Sequence, residues 1–309
     1  MRKNVLSENA VEAWSIAKKY CLCIKNGLAT LQYRKLFVTS LHNATELFIK
    51  AAMIKVNDLR VLIPSSVDSS GTPAKEYYSA TDLNDFIYNE INNANGNFSK
   101  KYKSCEFNKL SEYHKDLFKT YYQNNPDAKN VIGEALGTLK TLRNNETHFS
   151  IDSKEFLSEK EYVQLHNFMI EFYKLLKAEV LLPFVGEPIE QHKFMLEFTE
   201  TPLDNKRFSY KKALLDSENA CEIAKQLYKM PCAVSLDNPF QIADNMIQYS
   251  GSLKDYDSFD EILSYIHMMI EHDVLSVNED IEEFKIENET YHSTETNYVF
   301  KGWNFEEDS

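Results

Sequence analysis

The sequence has few cysteines, and their arrangement fits neither a disulfide framework nor a zinc site. The five cysteines are scattered, with no Cys-x-x-Cys pair and no histidine at zinc-ligand spacing. They are interpreted as reduced thiols in a cytoplasmic protein. A chain of 309 residues can bury a substantial core without such cross-links. We therefore predict no metal and no cofactor.

Long apolar segments are also missing. Residues 1–10 contain charged and polar side chains in place of the continuous apolar stretch of a signal peptide. No segment approaches the roughly 18 apolar residues that a membrane span requires. The sequence thus predicts a soluble intracellular protein without a membrane partner.

Positive charge is scarce, and it is unevenly distributed. The net charge of −13 argues against a nucleic-acid partner, since affinity for phosphate comes mainly from Lys and Arg. However, residues 1–189 hold 24 Lys and Arg against 22 Asp and Glu, whereas residues 190–309 hold 10 against 25. The two parts therefore carry +2 and −15. The first part can present a local basic groove to RNA, while the second would repel it.

The first part of the chain is rich in apolar residues at helical spacing. Helices are predicted over Glu8–Lys25, Ala29–Val56, Thr81–Ile91, Asn108–Tyr122, Ala128–Leu142 or beyond, and Glu159–Leu182. The proline- and serine-rich segment Leu62–Lys75 is predicted to be a loop. Residues 1–185 are therefore predicted to form one helical domain.

Two prolines and a glycine between Leu182 and Pro188 mark a predicted domain boundary. Beyond it the pattern predicts a short strand at Lys193–Thr199, helices at Glu218–Lys229, Asn238–Gln248 and Phe259–Glu271, and a hairpin between Phe284 and Phe300. Residues 190–309 are thus predicted to be a smaller, acidic α+β domain. Helices followed by a hairpin would suit a winged-helix-like module.

One polar segment carries residues suited to phosphodiester chemistry, namely Arg143, Asn144 and His148. A histidine can take the proton of an RNA 2′-hydroxyl or protonate the leaving 5′-oxygen. An arginine can bind the phosphate with two N–H groups and stabilise its growing charge. An Arg followed by Asn and, after four to six intervening residues, by His should occur by chance only about 0.03 times in this composition.

This segment resembles the Arg-Asn-x3-His signature of the HEPN superfamily, and the resemblance covers about residues 7–182. The helix around Glu46 and Lys50 is similar to the second helix of such domains. The resemblance implies a mainly α fold, with an HEPN-like helical bundle before the C-terminal region. It also implies a metal-independent endoribonuclease with Arg143 and His148 as the catalytic pair, acting as a toxin of a toxin–antitoxin system or an abortive-infection effector in antiviral defence.

The spacing of Arg143 and His148 determines whether one chain can bring both side chains to a single phosphate. Positions five residues apart lie about 140° apart around a helix, so one motif does not converge on a single phosphate. Many HEPN enzymes bring two motifs to one cleft by dimerising. The resemblance therefore implies a homodimer formed through the helical domain, with Asn144 holding the arginine or the phosphate, and a regulatory or antitoxin protein as a further partner.

Several other interpretations remain open from the sequence alone. Arg143 and His148 can be a helix-end cation and a solvated loop histidine, and Asn144 a simple cap. Glu46 and Lys50 can be a surface pair or a dimer contact. The domain as a whole can be a catalytically silent module that recognises a protein or nucleic acid. A winged-helix DNA-binding repressor is disfavoured by the acidity of residues 190–309, which instead can bind a basic partner or cover the RNA groove by imitating phosphate.

Overall fold

The structure is a computed structural model that describes residues 6–64, 77–93, 101–148, 156–179, 194–230, 236–249, 259–286 and 289–305. The described chain is mainly helical, as predicted. Its contacts divide it into an N-terminal unit, Met1–Cys21 with Lys35–Arg207, and a C-terminal unit, Leu22–Arg34 with Phe208–Ser309. The predicted boundary at 185–190 lies outside the described residues. The division by contacts differs from it in placing 194–207 with the first unit and 22–34 with the second.

The N-terminal unit contains four long helices with shorter elements between them, except that the last turn of α1 and the first turn of α2 belong to the C-terminal unit. In chain order its elements are α1 (Ser7–Lys25), α2 (Leu31–Lys55), β1 (Leu62–Pro64), α3 (Leu83–Asn93), β2 (Tyr102–Ser104), α4 (Phe107–Leu117), α5 (Lys119–Asn124), α6 (Pro126–His148) and α7 (Glu159–Ala178). The short strands β1 and β2 pair in antiparallel fashion. The loop predicted from Leu62 therefore begins as a strand.

Aromatic side chains join three of the long helices. The indole of Trp14 lies 6.2 Å from the ring of Phe48 and 6.0 Å from that of Phe172, measured between ring centroids. All three side chains are almost completely removed from solvent. Aromatic rings of this size contribute much of the apolar area that stabilises a core. Helices α1, α2 and α7 are therefore held together by the aromatic residues that gave the sequence its helical pattern.

The helix predicted over Asn108–Tyr122 is interrupted at Phe118. The backbone of Phe118 leaves the helical conformation, with φ −106° and ψ 27°. Its ring is buried and lies 6.3 Å from that of Tyr122, nearly perpendicular to it. The turn between α4 and α5 thus lets both rings enter the core, and this tertiary packing outweighs the helical propensity of the segment.

Residues 194–200 contradict the strand predicted at Lys193–Thr199, since they form a single helical turn and then an irregular segment. The indole N–H of Trp14 donates to the carbonyl of Leu196 at 3.0 Å. The ammonium of Lys18 donates to the carbonyls of Phe194 and Glu197 at 2.9 and 3.1 Å. Because side chains of α1 satisfy these carbonyls, the segment needs no neighbouring strand.

The start of α7 is fixed by a capping box. The Ser158 hydroxyl accepts from the backbone N–H of Glu161, and the Glu161 carboxylate accepts from the backbone N–H of Ser158. We expect Ser158→Ala to lower the free energy of unfolding by about 1 kcal/mol, because an orphan N–H at the helix start loses its acceptor. Urea unfolding would measure this loss. Ser158→Asp, which keeps an acceptor, is the matched control, and an equal loss in both variants would contradict the capping role.

The C-terminal unit contains four helices and one hairpin among its described residues. They are α8 (Tyr210–Leu215), α9 (Glu218–Tyr228), α10 (Pro239–Tyr249), α11 (Phe259–Glu271), β3 (Leu275–Ile286) and β4 (Glu289–Phe300). The predictions of α9, α10, α11 and a hairpin are confirmed, whereas α8 was not predicted. The hairpin is longer than expected, because Leu275 pairs with Phe300 and the register continues to Ile286 and Glu289.

The turn between α1 and α2 packs within the C-terminal unit. Gly27 has a φ of +95°, and a Cβ at this position would lie 2.8 Å from the Cα of Leu214. Only glycine fits both the left-handed backbone and the close approach. The Tyr265 hydroxyl donates to the carbonyl of Asn26 at 3.3 Å. These contacts explain why residues 22–34 group with a unit that begins far later in the sequence.

Candidate functional site

Helix α6 carries all three residues of the predicted motif. Pro126 opens the helix, at a position where the missing N–H has no intrahelical acceptor, and the helix continues to His148. The interpretation of His148 as a loop residue is therefore wrong for its backbone. Arg143, Asn144 and His148 lie on one rigid element, so their relative positions follow from helix geometry.

Arg143 and His148 lie on different sides of α6. Their Cα positions are about 140° apart around the axis and separated by about 7.5 Å along it. Arg143 follows Leu136 and Leu139 at seven- and four-residue spacing, and both leucines are fully buried. Its half-buried position is thus at the edge of the core-facing side, while Asn144 is exposed. The side chain of His148 lies outside the part of the chain that the structure describes.

A groove of about 670 Å³ runs between α6 and α7. Its wall on α6 is formed by Val131, Glu134, Gly137, Thr138 and Thr141. The three polar residues among them occur at four- and three-residue steps, which places them in one stripe along the helix. The face of α6 opposite to this wall carries the apolar residues of the core.

The wall on α7 repeats the same spacing. Lys160, Gln164 and Asn167 are again separated by four and three residues, and Glu161 and Val163 complete this side. These residues were not predicted from the sequence as functional. Two polar stripes of equal spacing on long amphipathic helices are the signal that could have revealed a shared groove.

Hydrogen bonds hold the groove's amides in place. The Thr138 hydroxyl donates to the Gln164 side-chain oxygen at 2.8 Å, which links α6 to α7 across the groove. The Asn167 amide donates to the Leu203 carbonyl at 3.0 Å and accepts from the Leu203 N–H at 2.8 Å. This paired contact fixes the segment that brings Asn205 to the groove. The hydrogen bond from Thr138 therefore fixes the orientation of the Gln164 side-chain amide.

The side of α6 that faces the groove also includes position 148, the last residue of the motif. Positions 134, 141 and 148 are each seven residues apart, and seven residues complete nearly two turns. Position 148 therefore lies within about 40° of Glu134, on the groove side of α6, and about 10 Å beyond Thr141. Arg143 lies about 180° from Glu134, on the opposite side. The structure thus brings the position of His148, but not that of Arg143, into line with the groove.

The charges around the groove do not form a phosphate site. Among the described residues that line it, Lys160 is the one cation, and Glu134 and Glu161 are the anions. The Glu161 carboxylate also accepts from the Ser158 backbone and hydroxyl, each at 2.8 Å. Phosphate binding requires a concentration of cations that these walls lack. Their uncharged hydroxyl and amide groups suit hydrogen bonding to a neutral ligand instead.

Glu46 and Lys50 form an internal ion pair rather than the expected surface pair. The Lys50 side chain is only 7% exposed, and its ammonium contacts both the Glu46 carboxylate and the Ser104 hydroxyl. Glu46 also lies 3.9 Å from the ring of His42, which stacks on Phe107. The pair therefore ties α2 to the β1–β2 ribbon within the N-terminal unit.

His114 is a fully buried titratable residue of α4. Its Nδ1 lies 2.8 Å from the Tyr122 hydroxyl, and its Nε2 has no hydrogen-bond partner among the described atoms. Burial, with smaller contributions from Lys115 and Lys129, lowers the pKa of His114 to about 4. Burial likewise raises the pKa of Tyr122. The histidine therefore remains neutral near pH 7.

Gly137 occupies the interior of α6, where glycine is the least favourable residue apart from proline. A Cβ at Gly137 would meet no other atom within 4 Å. We expect Gly137→Ala to raise the free energy of unfolding by about 0.5–1 kcal/mol, as measured by urea unfolding. Gly27→Ala should have the opposite sign because of its φ and its contact with Leu214. No gain for Gly137→Ala would show that the helix is distorted at this point.

Neither metal ligands nor membrane-spanning segments emerge from the described residues. No three His, Cys, Asp or Glu side chains among them are placed to hold a metal ion. No helix in the same ranges has the length and apolar content needed to cross a membrane. Comparison with known proteins found no matching family model, no matching curated protein and no matching solved structure.

Proposed function

We propose that the chain is a metal-independent endoribonuclease of the HEPN type. The observation that carries the proposal is the placement of Arg143, Asn144 and His148 at the end of α6, directly before the long helix α7 in a mainly helical unit. This is where HEPN enzymes carry their Arg-Asn-x3-His motif.

In the proposed reaction, His148 takes the proton of a ribose 2′-hydroxyl. The 2′-oxygen forms a bond to the neighbouring phosphorus, and the bond from phosphorus to the 5′-oxygen breaks. A second, protonated histidine gives a proton to that 5′-oxygen. The products are a 2′,3′-cyclic phosphate and a 5′-hydroxyl. Arg143 stabilises the charge that develops on the phosphate oxygens, and Asn144 holds the arginine or the phosphate.

The proposal includes a homodimer. Because α6 is helical through His148, positions 143 and 148 of one copy remain about 140° apart. A twofold assembly brings Arg143 and His148 of two copies to one cleft and supplies the second histidine that the proton transfers need.

The proposed biological role is that of a toxin or anti-phage effector, restrained by a regulatory or antitoxin protein. The supporting observation is the charge of −15 on residues 190–309. An acidic unit repels RNA and attracts basic protein surfaces. It is proposed to act in regulation, with a winged-helix-like arrangement of α9 to α11 and the hairpin β3–β4.

The test is to incubate the purified full chain with single-stranded RNA in EDTA and to identify the product ends. We expect cleavage with cyclic phosphate and 5′-hydroxyl ends, by a protein with the mass of a dimer in light scattering. A strict metal requirement would overturn the mechanism. RNA binding without cleavage, unchanged in His148→Ala, would instead favour a catalytically silent binding module.

A further inference from the structure

The groove between α6 and α7 has the size of a small-molecule site. Its volume of about 670 Å³ lies within the range of roughly 300–1,000 Å³ that such sites occupy. It is open to solvent along the side of the N-terminal unit. A polymer can therefore place one of its units in the groove while its chain continues outside.

The walls combine polar groups with a small apolar surface. Thr138, Thr141, Gln164 and Asn205 line the groove with hydroxyl and amide groups. The two hydroxyls donate to the Gln164 side-chain oxygen and to the Gly137 carbonyl, so their oxygens face a ligand as acceptors. The amides of Gln164 and Asn205 add N–H groups that match the acceptors on the edge of a nucleobase. Gly137 has no side chain, and a flat ring can approach the backbone of α6 at this position. The hydrogen bond from Thr138 to Gln164 fixes the amide before any ligand arrives.

The same walls disfavour a phosphate in the groove, because their described residues include two glutamates and a single lysine. The phosphates of a bound strand must then lie outside it. Position 148 lies on the groove side of α6, about 10 Å beyond Thr141, so a strand that leaves the groove at this end passes position 148.

We propose that this groove binds one nucleoside of the RNA strand beside the phosphate that is cut, with Gln164 contacting the base edge. The proposal rests on the proposed ribonuclease function and adds to it the site that selects the substrate. A second copy of the chain is the competing occupant, and the test distinguishes the two.

The test compares Gly137→Leu with Gly137→Ala in the full chain. Leucine suits a helix almost as well as alanine and extends into open space at this position, so both variants should fold at least as stably as the wild type. Binding of short single-stranded RNA oligomers is measured by fluorescence anisotropy in a His148→Ala background, and KM and kcat are measured without that change. Thermal unfolding and light scattering check folding and dimer mass.

We expect Gly137→Leu to weaken RNA binding and to raise KM by about tenfold or more. Gly137→Ala should cause a smaller loss, because its single methyl group covers less of the backbone. Gln164→Leu, which keeps the side-chain volume, should reduce the preference among oligomers of the four bases. Unchanged binding and KM in Gly137→Leu would overturn the nucleoside site while leaving the ribonuclease intact. Loss of the dimer in this variant alone would assign the groove to a second copy, also overturning the proposal.

The two proposals fail separately. If the wild type does not cut RNA but binds it, and Gly137→Leu alone abolishes this binding, the ribonuclease function is wrong and the nucleoside site stands. If no RNA oligomer binds to any of these proteins, the nucleoside site is wrong.

Discussion

Replacing His148 with alanine is expected to slow RNA cleavage by about 10²–10⁴-fold, which is the usual contribution of a positioned general acid or base. The protein should keep its fold, because His148 is the last residue of α6 and the core of this helix lies earlier in the sequence. Cleavage rates measured at several pH values, with circular dichroism as the check on folding, test this expectation. His267→Ala, on the exposed side of α11, is the control histidine.

Arg143→Ala should cause a loss of about 10²–10³-fold, because the phosphate loses a cation at the moment its charge increases. Arg143→Lys should recover only part of the rate, since an ammonium lacks the planar pair of donors. Lys140→Ala is the matched control, because Lys140 is an exposed cation on the same helix, three residues earlier. An equal loss in Lys140→Ala would point to general attraction of RNA rather than to catalysis.

A mixing experiment separates a shared site from one contained in a single copy. Wild-type and doubly substituted Arg143→Ala/His148→Ala chains are co-expressed in equal amounts, so that about a quarter of the dimers are wild type and about half are mixed. A site that needs both copies should keep only about a quarter of the activity of an all-wild-type sample, because the mixed dimers lack the second histidine. Retention of about half the activity would place both catalytic residues in one chain, which the 140° separation on α6 does not favour.

The helices were predictable where a regular apolar stripe determines both local structure and burial. Helix α11 shows this, since Ile262, Tyr265, Ile266 and Met269 are buried and recur at helical spacing in the sequence. The interruption at Phe118 was not predictable, because it depends on which rings meet in the core. The structure of the segment 194–200 was not predictable either. Its composition suits a strand, but its carbonyls accept hydrogen bonds from the side chains of Trp14 and Lys18.

The candidate site was predictable only in part for the same reason. A short motif identifies Arg143, Asn144 and His148 because their order along the chain is the signal. The groove, in contrast, needs residues of two helices side by side, and sequence spacing alone does not say that the polar stripe on α6 faces the one on α7. The sequence likewise predicts Lys50 on the surface, because it does not show that Ser104 of β2 lies against the Lys50 ammonium.

Acid should destabilise the protein through His114, whose side chain is fully buried between α4 and α6. Its pKa is about 4 in the folded protein, against an ordinary value of 6.5, because burial disfavours the charged ring. Above pH 6.5 the histidine is neutral in both the folded and the unfolded chain, so the full stability is present. Between pH 6.5 and 4 this histidine binds a proton in the unfolded chain but not in the folded chain, so the free energy of unfolding decreases as the pH falls.

This difference in pKa corresponds to a loss of about 3 kcal/mol between pH 6.5 and 4. His114→Gln cannot take up this proton and keeps a polar group beside the Tyr122 hydroxyl, so it should be less stable than the wild type near pH 7 but lose less stability in acid. Urea unfolding of both proteins across this interval measures the effect, because the other titrating groups are common to the two. A constant difference in their free energies of unfolding would mean that the buried ring does not limit acid stability. A difference that shrinks as the pH falls would assign the acid sensitivity to the contact between α4 and α6, which supports one wall of the groove.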